Sequence, residues 1–171
     1  MARQLRDHGL SCYSTSITRD EELDHFKMEK FWIGKIPLMD AEHLHQLADQ
    51  WNWDDGLTAL RMIIDNPQCS LGTASLIYWR GSPHYFRKYS NRNEVEPINR
   101  EDYDLLQRIE KRMEANFFQH RRGIIYDPRN DRGADFTRCK YKASELKRTI
   151  PACMLVATTE QGIQTFELTQ D

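Results

Sequence analysis

The sequence predicts a mainly α-helical fold: a single-domain helical bundle with a repeat-like helix-turn-helix core, compatible with a short C-terminal β-hairpin. Three observations carry that expectation. Between residues 40 and 81, apolar side chains recur at helical spacing and are separated by capping residues and tight corners. From Asn99 to about Gln119 a longer stretch repeats the helical period with a polar opposite side. The composition, 39% hydrophobic and 29% charged over 171 residues, is that of an ordinary globular domain. A chain of this size buries about 70% of its unfolded surface, so a core forms without disulfide or metal staples.

Residues 1–19 are polar and weakly patterned, which reads as an arm, and Thr18 or Asp20 caps a helix over Glu21 to Lys30. Gly34 and Pro37 end that pattern. Asp40 then caps a first core helix whose inner side is Ala41, Leu44, Leu47, Ala48 and Trp51. The structural corner is Trp51, Asn52, Trp53, Asp54, Asp55 and Gly56. Asp54 and Asp55 are expected to meet the unpaired N–H groups of the next helix, and Gly56 to permit the turn. Leu57, Leu60, Met62, Ile63 and Ile64 wrap that second helix, so it is buried, and Asn66-Pro67 stops it. Ser70 caps a third helix bearing Leu71, Ala74, Leu76, Ile77, Tyr78 and Trp79, which Gly81 closes.

Ser82-Pro83 opens a short helix through Tyr89, completing a central core over 40–89. Residues 90–99 form a loop. The long helix, 100–120, carries Leu105, Leu106, Ile109, Met113 and Phe117 inward, with Asp104 and Arg108 paired on the wet side. The remainder, 121–171, is basic and irregular. Ile124–Tyr126 reads as a strand, 127–133 as a loop and Ser144–Arg148 as a helical turn or two. Met154–Ala157 and Ile163–Leu168 flank a turn at Glu160–Gly162 in a hairpin-like pattern. There is no clean 30- to 45-residue period, so the core is repeat-like and not a counted solenoid.

Charge is polarised along the chain. Residues 1–65 hold 12 acidic against 7 basic residues, whereas residues 119–150 hold 4 against 9. The net charge of −2 therefore conceals an acidic first half and a basic later segment. No apolar run is long enough for a membrane helix, and the N-terminus lacks the apolar stretch of a secretory signal, so a cytoplasmic location is expected. The four cysteines have neither metal-ligand nor disulfide-framework spacing and read as free thiols.

Catalytic motifs are hard to find. Asp54-Asp55 are adjacent, about 100° apart around a helix, and cannot converge on one bond as a glycosidase pair does. His43 and His45 fall on different faces, and His45 with Asp49 supplies only two ligands. No zinc-protease, nucleophile-elbow or phosphate-loop motif occurs. Neither enzymatic activity nor a cofactor is expected. The one surface resembling a nucleic-acid site is 121–148, where Arg121, Arg122, Arg129, Arg132, Arg138, Lys140, Lys142, Lys147 and Arg148 alternate with Tyr126, Phe136 and Tyr141. Asp127, Asp131, Asp135 and Glu145 interrupt it, which favours a salt-bridged, solvated face.

The capped helix from Asp40, the corner Trp51–Gly56, the step Asn66-Pro67-Gln68-Cys69 and the opening Leu71-Gly72-Thr73-Ala74 together resemble a bacterial domain of unknown function, the family numbered 4274. The resemblance covers residues 40 to about 86, with Ile150-Pro151 similar to its closing segment. Arg80-Gly81-Ser82 departs from it where an Asp-Gly turn is expected. The resemblance implies an immunity protein of the kind encoded beside polymorphic toxins, which neutralises a cognate protein toxin by direct binding. For a nuclease toxin with a basic cleft, the partner-binding face is expected at Glu21, Glu22, Asp24, Asp40, Glu42 and Asp49. The rival expectation is a nucleic-acid-binding regulator using 121–148.

Overall fold

A computed structural model describes residues 30–118, 124–155, 157–159 and 162–164. The expected arm, the helix beginning at Glu21 and the acids Glu21, Glu22 and Asp24 lie outside the described residues. Those described are mainly helical. Helix α1, described over 30–35, runs into a 3-10 turn at Ile36–Leu38. Then come α2 (Ala41–Gln50), α3 (Thr58–Asp65), α4 (Leu71–Arg80), the one-turn α5 (Pro83–Phe86) and α6 (Arg100–Glu114). Strands β1 (Ala157–Thr159) and β2 (Gly162–Gln164) pair antiparallel, Thr158 opposite Ile163. The expected hairpin is thus present but shifted, because Met154 belongs instead to a 3-10 turn at Ala152–Met154.

Helix α2 starts where Asp40 Oδ1 accepts from His43 N at 2.9 Å. It buries Leu44 and Ala48. At the corner, Trp51 Nε1 donates to Gly56 O at 3.0 Å and Gly56 takes a left-handed φ of 87°, which a side chain would disfavour. Asp54 and Asp55 do not cap α3. They occupy a separate 3-10 turn, Trp53–Asp55, whose cap is Asn52: its Oδ1 accepts from Asp54 N at 3.2 Å and its Nδ2 donates to Asp55. Gly56 and Leu57 intervene before α3, which begins at Thr58 with no side-chain cap and no acid in its first turn. The extra turn carries both carboxylates away from the α3 amides.

Helix α4 is the axis of the molecule. Ser70 Oγ accepts from Thr73 N at 3.0 Å, and every residue from Leu71 to Trp79 is buried. A helix apolar on all sides must be covered on all sides. Helices α2, α3 and α6 pack on it, and the chain after α6 completes the cover. The Trp79 indole N–H donates to Met154 O at 2.9 Å, while a Cβ at Gly72 would lie 2.7 Å from Ile124 O. Gly81 caps the helix through its N–H, but its φ is −72°. The left-handed residue is Ser82, at φ 60°, and its side chain makes no capping bond to α5. Glycine at 81 meets a packing demand, since a Cβ there would sit 2.7 Å from Leu106 Cδ2.

Helix α6 buries Tyr103, Leu105, Leu106, Ile109 and Met113. It stops about a turn earlier than the pattern predicts, because Asn116 adopts φ 52°. The reversal exchanges two phenylalanines: Phe117 is 37% exposed under the Arg112 guanidinium, and Phe118 enters the core. Asn99 offers no side-chain cap to α6. Nor do Asp104 and Arg108 pair along it. Asp104 takes Arg92, and Arg108 reaches across to Asp65, which Arg112 also holds. Arg108 meets Asp65 fork to fork and Arg92 Nε donates to both Asp104 oxygens, so bonds to other elements displace the weaker pair along the helix.

Candidate functional site

The most concentrated polar chemistry lies at the end of α4. Arg80 follows nine buried residues, so its guanidinium emerges at the edge of the core with its side chain only 12% exposed. Nε donates to Asp131 Oδ2 at 2.7 Å and Nη2 to Asp131 Oδ1 at 2.8 Å. Nη1 reaches Asp49 O at 2.9 Å, and Nη2 also meets Asp49 Oδ1 at 2.8 Å. Asp131 belongs to a tight turn closed by paired backbone bonds with Ala134, whose central residues Arg132 and Gly133 both have positive φ. That turn also returns Arg132 to Asp49, at 2.8 Å. Tyr126 O–H donates to Asp131 at 3.2 Å.

Electrostatics follow from this geometry. Partial burial alone would raise the Asp49 carboxyl; the hydrogen bonds and charge of Arg80, then of Arg132, more than offset it and hold Asp49 below its ordinary value. Burial works against the Arg80 charge, yet Asp131 and Asp49 raise its affinity for the proton. Burial first, then the Asp131 charge, pushes the Tyr126 phenol up. Two acids and two arginines thus neutralise one another, joined by a phenol that stays protonated. The arrangement ties helices α2 and α4 to the segment after α6.

His45 faces α4. Its Nδ1 lies 3.1 Å from Thr73 Oγ1, and burial lowers its basicity. A second buried set joins Tyr78 O–H to Glu110 at 2.9 Å and Glu110 to Arg148 at 2.7 Å. Among the described residues, no group of three or more His, Cys, Asp or Glu side chains is placed to hold a metal.

Of the expected partner-binding acids, Asp40 and Glu42 are exposed. Asp49 is half-buried, with Arg80 and Arg132 each on one of its oxygens. Asp54 and Asp55, placed at the corner for structural reasons, are instead exposed beside α2. In the basic segment, Arg132 pairs with Asp49, Arg138 with Asp135, Lys147 with Glu94 and Arg148 with Glu110. Sequence reading missed Arg80 as an organiser. The available signal was a single cation directly after a continuous apolar helix, where a charge cannot reach far into solvent.

The fold and its polar clusters define a mainly helical protein whose buried charged groups are spent on joining one element to another. Residues 39–114 match the model of the family described as Domain of unknown function (DUF4274), a span that runs from the start of α2 to the end of α6. The match extends the resemblance seen from residue 40 to about 86 through the whole of α6. No curated protein and no solved structure matches the chain significantly. No helix among the described residues is long and apolar enough to cross a membrane.

Proposed function

We propose that the chain acts by binding another protein, as a cytoplasmic immunity-type inhibitor that covers a basic surface of a cognate toxin, a nuclease being the type that fits best. The supporting observation is that Asp40, Glu42 and Asp55 are exposed acids. Among the described residues none of these three is paired with a lysine or arginine, whereas Asp49, Asp65, Asp104 and Asp131 all are. Asp40 stays ionised because the His43 backbone N–H, then the His43 ring, hold its carboxyl below the ordinary value. Exposed carboxylates without a cationic partner suit electrostatic steering toward a cationic cleft, and a stable complex would bury roughly 1,600 Å² in total.

The test uses the product of the neighbouring reading frame. Co-expression with this chain should rescue growth, and purified partners should associate at a rate that falls steeply with salt. Glu42→Lys with Asp55→Lys should slow association by about tenfold or more at low salt, with dissociation little changed. Association indifferent to both substitutions and to salt would reject this face.

The nucleic-acid reading has less support. Arg132, Arg138 and Arg148 pair with carboxylates of the same chain. Retention on mixed duplex or single strands, weakening steeply with salt, would restore it.

A further inference from the structure

A cavity of about 510 Å³, open to solvent, lies between the end of α5 and the segment 143–149. Its lining is Arg87, Ala143, Leu146, Lys147, Arg148 and Thr149: three cations, one hydroxyl and two apolar side chains, with no carboxylate. The cavity is well built. Arg87 O accepts from Lys147 N at 2.8 Å and from Arg148 N at 3.2 Å, and Arg87 Nε donates to Arg148 O at 2.8 Å. His84 steadies the same guanidinium. Its Nε2 faces Thr137 O, which can only accept, so that nitrogen carries the proton. Nδ1 is then free to accept from Arg87 Nη1 at 3.4 Å, and burial, which lowers the basicity of His84, keeps this tautomer neutral.

The charges around the cavity do not cancel. Lys147 is answered by Glu94 and Arg148 by Glu110. Arg87 has only a carbonyl and a neutral ring as partners, and no carboxylate among the described residues. A half-buried guanidinium fixed in place without a counter-charge is costly to keep and attracts an oxyanion. We propose that this cavity binds a small organic phosphate monoester. The phosphate oxygens accept from the guanidinium of Arg87, from the two Lys147 N–H groups not donated to Glu94 and from the hydroxyl of Thr149. The organic part lies over Ala143 and Leu146. Ala143 and Leu146 beside the cations offer an apolar contact that a bare phosphate ion would not use, which is why the organic part belongs to the assignment. The cavity and the acidic face share no residue, so this inference stands apart from the toxin-binding reading.

The experiment is calorimetric titration of the full chain at low salt with ribose 5-phosphate, inorganic phosphate and ribose. Ribose 5-phosphate should bind saturably and more tightly than inorganic phosphate, and ribose should not bind. Because Arg87 also supports the backbone, Lys147→Gln and Thr149→Val are the informative variants, with circular dichroism confirming an unchanged fold. Loss of a charge-assisted hydrogen bond predicts binding about tenfold weaker in Lys147→Gln, and a smaller loss in Thr149→Val. Absence of saturable binding, equal affinity for both phosphates, or affinity unchanged in both variants would each overturn the assignment.

Discussion

Arg80 and Asp131, separated by 51 residues in sequence, meet fork to fork through two hydrogen bonds of 2.7 and 2.8 Å at the edge of the core. Asp131 is only 6% exposed in its side chain, so neither partner can fall back on water if the other is removed. Arg80→Met should therefore cost about 3 kcal/mol or more, because it strands the Asp131 charge. Arg80→Met with Asp131→Leu should recover part of that loss. Urea unfolding midpoints of the two variants check both statements.

Gly72→Ala addresses a backbone contact and not a charge. The added methyl would lie 2.7 Å from the Ile124 carbonyl oxygen, and a backbone atom cannot swing aside as a flexible side chain can. A loss of about 1–3 kcal/mol is expected, along with faster proteolysis near residue 124. The same substitution in a helix open to solvent would stabilise it.

At the corner, Asn52→Ala should cost about 1 kcal/mol, since its side chain holds the turn from both ends. Asp55→Asn should change stability by less than about 0.5 kcal/mol. Thermal melting of both separates the observed cap from the one that the sequence suggested.

Stability should fall in mild acid. Burial lowers the basicity of His45 and His84 below the ordinary value of 6.5, with Arg80 and Arg87 acting in the same direction. The unfolded chain then binds more protons than the folded one as pH drops below about 6.5, and linkage draws the equilibrium toward unfolding until the folded pKa values are passed. Above pH 6.5 the two histidines contribute no slope. Denaturation at pH 7.5 and 5.5 should show the decline, and His45→Gln with His84→Gln should flatten it.

Helix positions were legible where periodicity and punctuation agree. Asp40 and Ser70 both cap as their residue types suggest, and the apolar wrap of α3 implied the burial seen at Leu60, Ile63 and Ile64. The failures share one cause: sequence shows which groups can pair, not which neighbours arrive. Asp104 looked committed to Arg108 until Arg92 and Asp65 were brought beside them, and Asp49 looked like surface until Arg80 and Arg132 closed on it. Phe117 fell on the right helical period, but the left-handed backbone at Asn116 ended the helix first. Asp40 and Glu42, whose neighbours are local, are exposed, whereas Asp49, whose partners are distant in sequence, is held by two arginines.

The cover over α4 has a practical consequence for anyone cutting this gene. The family match ends at Glu114, but the acceptor for the Trp79 indole and the carbonyl lying over Gly72 come from Met154 and Ile124. An excised fragment ending at residue 114 would open one flank of its greasiest helix to solvent and should precipitate, however well its borders agree with the family match.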